Sequence, residues 1–191
     1  MIDYTLIAKA IKYYQSKGYK YVDLPWHTED KYISITLPPE CGPVKAVYPD
    51  KTYSLVGSAE QAFLAYKDKY RSPLYKKLMS VTPCFRDEKN ITKYTVPYFL
   101  KLELMHILKP EQNSKECYYD MFFVANDFFR SLNIPTYNLN YPNNNSIDIM
   151  CSNLDGEIEL GSYGYRQYFD FAWVYGTGLA EPRTSLCINS C

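Results

Sequence analysis

The chain has 191 residues, enough for one domain with a sizeable core. Lys+Arg and Asp+Glu balance at 21 each, so no basic excess advertises nucleic acid and no acidic excess advertises a disordered tail. No apolar run approaches the ~18 residues a spanning helix needs, and "MIDYTLIAKAIKYYQSKG" has early charges and no signal-peptide core, so a cytoplasmic protein without a membrane segment is expected.

In chain order, Tyr4, Ile7, Ile11 and Tyr14 recur at helical spacing, which predicts a helix over 4–17 stopped by Gly18. "YKYVDLP" follows as a strand ending at Pro25. Residues 26–52 read as irregular, with "LPPECGP" as a loop. Ser58 opens a second helix, "SAEQAFLAYKDKY", and Ser58 with Gln61 fits a capping box. Strands at about 78–86 and 96–108 flank the loop "KNITKYT". The longest helix, over 114–132, carries a stripe of Cys117, Met121, Val124, Ala125, Phe128 and Leu132. "NYPNNNS" is a loop. "IDIMCSNLDGEIELGSY" reads as a hairpin turning at Asp155-Gly156, and "FDFAWVYG" as a further strand. "TGLAEPRTSLCI" reads as a glycine-softened turn entering a last helix. Helices interrupting antiparallel strand neighbours predict an α+β domain over 1–191, with a mostly antiparallel sheet flanked by helices.

Six cysteines, at 41, 84, 117, 151, 187 and 191, form no C-x-x-C and are expected as free thiols; Cys117, inside a helical pattern, is most simply core. With only two His, a structural zinc site is not expected.

Charged residues gather in short strands. Arg86 and Glu88 end one strand; Phe99, Lys101 and Glu103 share a face of the next, because side chains two apart in a strand point the same way. Ser58 and Glu60 open a helix, where the dipole favours an acid. Glu157, Glu159, Gly161 and Ser162 follow, then "GTGLAEPR". Each alone reads as a cap, an exposed strand face or an edge strand.

In this order they form a pattern that resembles the catalytic core of class II aminoacyl-tRNA synthetases, closest to the seryl type, across residues 4–188. "AIKYYQSKGYKYVDLP" looks like motif 1, "TPCFRDE" like motif 2, and "GTGLAEPR" like motif 3 ending in Arg183. "LVGSAEQ" is similar to the Thr-x-Glu loop, with Ser58 in place of Thr, and "EIELGS" to the Glu-Ile-Ser-Ser strand. The resemblance implies ATP as substrate, Mg²⁺ with it, and a small amino acid. Arg86 would bridge the amino-acid carboxylate and the α-phosphate, and a guanidinium fork suits that role. Arg183 would hold the γ-phosphate. Glu88 would accept from the adenine amino group, and Phe99 and Arg183 would sandwich the base. Glu159 and Ser162 would hold Mg²⁺ and phosphate oxygens. Ser58, Glu60, Lys101 and Glu103 would line the amino-acid site, the two Glu facing its ammonium. Trp173, with Tyr175, would shape the side-chain pocket, and Gly176 and Gly178 would let the backbone pass close to the nucleotide.

The chain departs from the family where tRNA is gripped. The loop from Lys89 to Tyr98 is short, Thr95 stands where seryl enzymes have an arginine, and neither a coiled-coil arm nor an anticodon-binding domain is expected. The zinc-holding cysteine of arm-less relatives is Ser58 here. Three readings follow. The first is amino-acid activation with transfer to a non-tRNA acceptor, a carrier-protein thiol or a small amine. The second is a minimal synthetase charging a tRNA acceptor end. The third is a silent binding protein. The balanced charge favours weak or absent tRNA binding. "YKDKYRSPLYKK" offers Lys67, Lys69, Arg71, Lys76 and Lys77 as a docking surface for an acidic carrier protein. The Tyr4/Ile7/Ile11/Tyr14 stripe points to a two-fold homodimer.

Overall fold

A computed structural model describes residues 1–39, 41–46, 52–70, 76–141, 145–153, 156–169 and 171–190. In order, the elements are α1 (Tyr4–Ser16), β1 (Lys20–Tyr21), β2 (His27–Glu29), α2 (Asp30–Thr36), β3 (Lys45–Ala46), β4 (Tyr53–Leu55) and α3 (Ala59–Tyr70). There follow β5 (Lys77–Phe85), β6 (Tyr98–Ile107), α4 (Ser114–Arg130), β7 (Thr136–Tyr141), β8 (Ser146–Asn153), β9 (Gly156–Tyr168), β10 (Phe171–Glu181) and α5 (Arg183–Ile188). Seven strands form one sheet in the order β1-β5-β6-β10-β9-β8-β7, antiparallel except for the short β1, which runs parallel to β5. The expected α+β class is the observed one. No helix among the described residues is long and apolar enough to cross a membrane.

Alternation along β6 divides the molecule into two layers. Leu102 and Leu104 enter one core with α1, α4 and α5; Met105 and Ile107 enter a second core with α3. Helix α1 starts because the Asp3 carboxylate accepts from the Thr5 and Leu6 N–H groups at 2.8 and 3.0 Å. It stops at Gly18, whose φ of +86° suits glycine. Leu6, Ile7, Ala10 and Tyr14 are buried against the chain's own sheet. The stripe expected to make a dimer is therefore already covered, and only Tyr4 of it is exposed. On α4, Asn113 caps the first turn, and Tyr118, Met121, Phe122, Ala125, Phe128 and Phe129 are buried.

Five expectations change. The stretch read as irregular holds α2 and a small sheet of order β2-β4-β3, whose strands of two or three residues are too short to show a period. The edge strand β7 was not predicted, because four of its six residues are exposed and no alternation marks them. The turn expected after Gly176 is instead the continuation of β10 to Glu181, with a register shift between Thr177 and Leu179. Of the expected strand over "YKYVDLP", only Lys20 and Tyr21 pair. The hairpin of β8 and β9 stands as expected, with Asn153 opposite Gly156; Asp155 lies outside the described residues. Cys151 and Cys187 are disulfide-bonded rather than free, because β8 and α5 bring two buried cysteines together. Cys41, Cys84 and Cys117 are thiols, and Cys191 lies outside the described residues.

Candidate functional site

The face of the sheet beneath α3 carries the chemistry. In β5 and β6, Ser80 faces Glu103, Thr82 faces Lys101 and Cys84 faces Phe99. On β10, Thr177 lies opposite Glu103, and Tyr175 opposite both Met105 and Gly164. Further across, Arg166 of β9 lies opposite Trp173, and Ser162 opposite Asp148 of β8. Lys101 and Glu103, expected to share a face, belong to one floor five strands wide; Glu159 and Ser162, three apart in β9, come to the same side through the register shift opposite Ile149 and Met150.

Both acids expected to face a substrate ammonium are already paired. Glu103 accepts from Ser58 Oγ at 2.7 Å, from Lys101 Nζ at 2.8 Å, and from the Ala59 N–H at the start of α3. Burial alone would raise its carboxyl pKa, but Lys101, Ser58 and the Ala59 N–H together hold it below the ordinary range. Glu60 accepts from Trp173 Nε1 at 2.6 Å and from Arg166 Nη1. The expected box at this helix start has a variant form. Ser58 Oγ accepts from the Glu60 N–H, and Gln61 accepts from the Gly57 N–H rather than from Ser58.

The two arginines lie at the other end of the floor. Arg86 donates through Nε to the Gly57 carbonyl at 3.1 Å, and its guanidinium sits 5.2 Å from the Phe99 ring centre. One face of Phe99 is thus taken by Arg86. Arg183 donates to the carbonyls of Glu159 at 2.9 Å and Tyr94 at 3.3 Å, and lies 3.9 Å from the Glu159 carboxylate. Buried Glu181 places it, accepting from the Asp3 N–H at the start of α1 and from Ser185 on α5. The loop after β5 is tied to the ends of β8 and β10. Asn153 donates to the Tyr94 hydroxyl at 3.0 Å, and Thr92 and Thr95 close a turn. Glu88 sits beside it, 4.0 Å from Cys41 Sγ.

Gly176 and Gly178 have a packing reason to be glycine. A Cβ on Gly178 would collide with Leu102 and with the Tyr14 ring at 2.8 Å; one on Gly176 would meet Met121 Sδ at 2.7 Å. These glycines make room for the core, and the Tyr14 hydroxyl donates to the Gly178 carbonyl at 2.8 Å. The packing gives Gly178 a structural role of its own.

Two residues of the floor were not singled out from sequence. Arg166 spans from β9 to α3, with its guanidinium 4.3 Å from the Tyr175 ring centre. Asp148 stands beside Ser162 and Glu159; burial, aided by Glu159, pushes its carboxyl up to about 6 against the pull of the Ser162 hydrogen bond. Counting by twos from Ser162 would have found Arg166. Asp148 gave no signal, because its place depends on the β8–β9 register. Among the described residues, no group of three or more His, Cys, Asp or Glu side chains forms a cage for a metal ion.

No family model and no curated protein matches the chain. Solved structures do. The crystal structure of seryl-tRNA synthetase from Pyrococcus horikoshii complexed with ATP superposes with a TM-score of 0.80 at 22% identity, over 98% of this chain and 50% of that one. Cytoplasmic serine–tRNA ligase from Naegleria fowleri in complex with AMP gives 0.78 at 18% identity, over 95% and 52%. The chain spans about half the length of the structures it matches. Its fold is the class II synthetase catalytic fold.

Proposed function

We propose that the chain, acting as one catalytic unit over 1–191, activates an amino acid with ATP and passes it to an acceptor other than whole tRNA. What supports this is Arg86 beside Phe99 on the strand face of the Lys101–Glu103 pair, with Arg183 held against Glu159 at the same end of the sheet, on a fold shared with a synthetase solved with ATP.

In the reaction, a carboxylate oxygen attacks the α-phosphorus; that P–O bond forms, the bond to pyrophosphate breaks, and the products are an aminoacyl adenylate and pyrophosphate. Both reactants are anionic, so the floor must neutralise charge and hold geometry. Among the described residues Arg86 is bonded to a neutral carbonyl and a ring, and its remaining donors serve the carboxylate and α-phosphate. Arg183 takes the γ-phosphate and covers the adenine. Phe99 stacks on the other face of the base once Arg86 turns to the phosphate, and Glu88 accepts from the amino group. Glu159 and Ser162 would hold Mg²⁺, whose other ligands would be phosphate oxygens and whose charge would favour the leaving pyrophosphate; two oxygen donors fit that ion, which needs no protein cage. Because Glu60 and Glu103 already have partners, they serve the ammonium site by orienting Lys101, Ser58 and Arg166, and a substrate ammonium competes with Lys101 for Glu103.

The acceptor is a carrier-protein thiol or a small amine, and the setting is the cytoplasm. A two-fold partner would cover the exposed Tyr4 and Trp26. The paired state of Glu60 and Glu103 favours a second reading, a nucleotide-binding protein that does not turn over. Amino-acid-dependent ATP–pyrophosphate exchange separates the two. Wild-type protein exchanges with at least one amino acid, and Arg86→Ala loses on the order of 100-fold or more, about 3 kcal/mol of barrier. Exchange at the wild-type rate in Arg86→Ala removes Arg86 from the mechanism; ATP binding with no exchange at all selects the silent reading.

A further inference from the structure

We propose that Arg166 is the specificity-determining residue of this site, and that the amino acid taken has a short side chain ending in a carboxylate or carboxamide oxygen. The inference rests on the activation reading.

The guanidinium is built into the wall above the floor. Glu60 takes Nη1 on one edge, and that carboxylate is itself fixed by Trp173 Nε1 at 2.6 Å. The Tyr175 ring supports the flat face at 4.3 Å. Trp173 is fully buried and Glu60 is 6% exposed, so neither partner yields. This placement lies beyond Glu103 as seen from Arg86, where a side chain would point if its carboxylate met Arg86.

Only one edge of the fork is used. Among the described residues, Nε and Nη2 of Arg166 have no hydrogen-bond partner, although the side chain is only 36% exposed. A planar fork with two unspent donors matches an oxygen acceptor, and a carboxylate or carboxamide presents one in plane. An apolar side chain would cover those donors without replacing water. A cationic one would meet Arg166 with no acid in reserve, because both oxygens of Glu60 are engaged. Tyr175 and Trp173 fill the floor beneath, which leaves length for a short chain only.

The test is exchange measured across all twenty amino acids, with thermal shift on the same set. Aspartate or asparagine ranks first, by on the order of 100-fold over alanine, since a site built around hydrogen-bond donors rejects analogues lacking the acceptor. Which of the two ranks first separates carboxylate from carboxamide. Arg166→Lys keeps the charge and loses the fork; KM for that amino acid rises by about 100-fold while KM for ATP stays within about threefold. A first rank for glycine, alanine, serine or an apolar amino acid overturns the inference and leaves activation standing. So does an unchanged amino-acid KM in Arg166→Lys. If no amino acid supports exchange, the activation reading fails; aspartate or asparagine stabilising wild type but not Arg166→Lys would then still uphold the role of Arg166, and stabilisation by neither would overturn it.

Discussion

Lys101 and Glu103 stand two residues apart on one strand, with side chains only 15% and 8% exposed. Each is tolerable there because the other neutralises it, and removing one partner of a buried pair typically costs about 3–5 kcal/mol. Glu103→Gln should therefore lower stability in urea by about 3 kcal/mol, whereas the Lys101→Met, Glu103→Leu double variant should lose much less. Equal losses in both would show that the charges are not coupled. Asp148 behaves oppositely. Its folded-state carboxyl holds its proton up to about 6 rather than the ordinary 3.8. Its contribution to stability is thus full at low pH and is lost as pH rises through about 6. Asp148→Asn should match wild type near pH 4 and exceed it near pH 7 by about 1 kcal/mol, after discounting for the solvent reaching a half-buried group. Melting curves at both pH values check this; a gap that narrows as pH rises contradicts it.

Between elements, the disulfide is the longest covalent reach in the fold. It ties β8 to α5 across 36 residues of sequence, and closing a loop of that length is worth about 4 kcal/mol in the chain-entropy account. Reductant should lower the stability of the oxidised protein by about 2–4 kcal/mol. Alkylation and mass spectrometry without reductant should yield the linked peptides; two alkylated thiols instead would restore the expectation of free cysteines, which a reducing compartment favours. The loop after β5 is the second decisive element. Its Tyr94 is bonded to Arg183 and Asn153 and packs against the core on the α1 side, so the loop is tied to the ends of β8 and β10.

For the whole molecule, charge and shape bear on the acceptor. Net charge is zero, and nucleic-acid affinity comes from phosphate neutralisation. Total tRNA at physiological salt should therefore bind more weakly than micromolar in a fluorescence titration. Submicromolar, salt-sensitive binding with charging of a 3′ end would instead promote the minimal synthetase. The basic stretch expected to dock a carrier protein is divided by the sheet. Lys67 lies over Phe171 in the layer with α3, while Lys77 lies toward Tyr19 in the layer with α1; Arg71 is outside the described residues. Those lysines do not form one surface, so a carrier protein would have to meet one side or the other.

Local periodicity was enough for much of this. Helical spacing placed α1 and α4, a capping pattern placed the start of α3, strand alternation put Lys101 with Glu103, and the motif order led to the class II core, because each signal is written within a dozen residues; Glu159 joins Ser162 only through a register shift in β9. What lay beyond reach is what depends on partners far apart in the chain. Arg166 meets Glu60 across 106 residues, and Trp173 meets it across 113. The α1 stripe could equally have faced a second copy or its own sheet, and only packing decided for the sheet. The glycines of β10 looked like a turn because their neighbours, Tyr14, Leu102 and Met121, are invisible to any local window. Side-chain direction is set by the backbone period, but what a side chain touches is set by register and layer packing, which exist only in the folded chain.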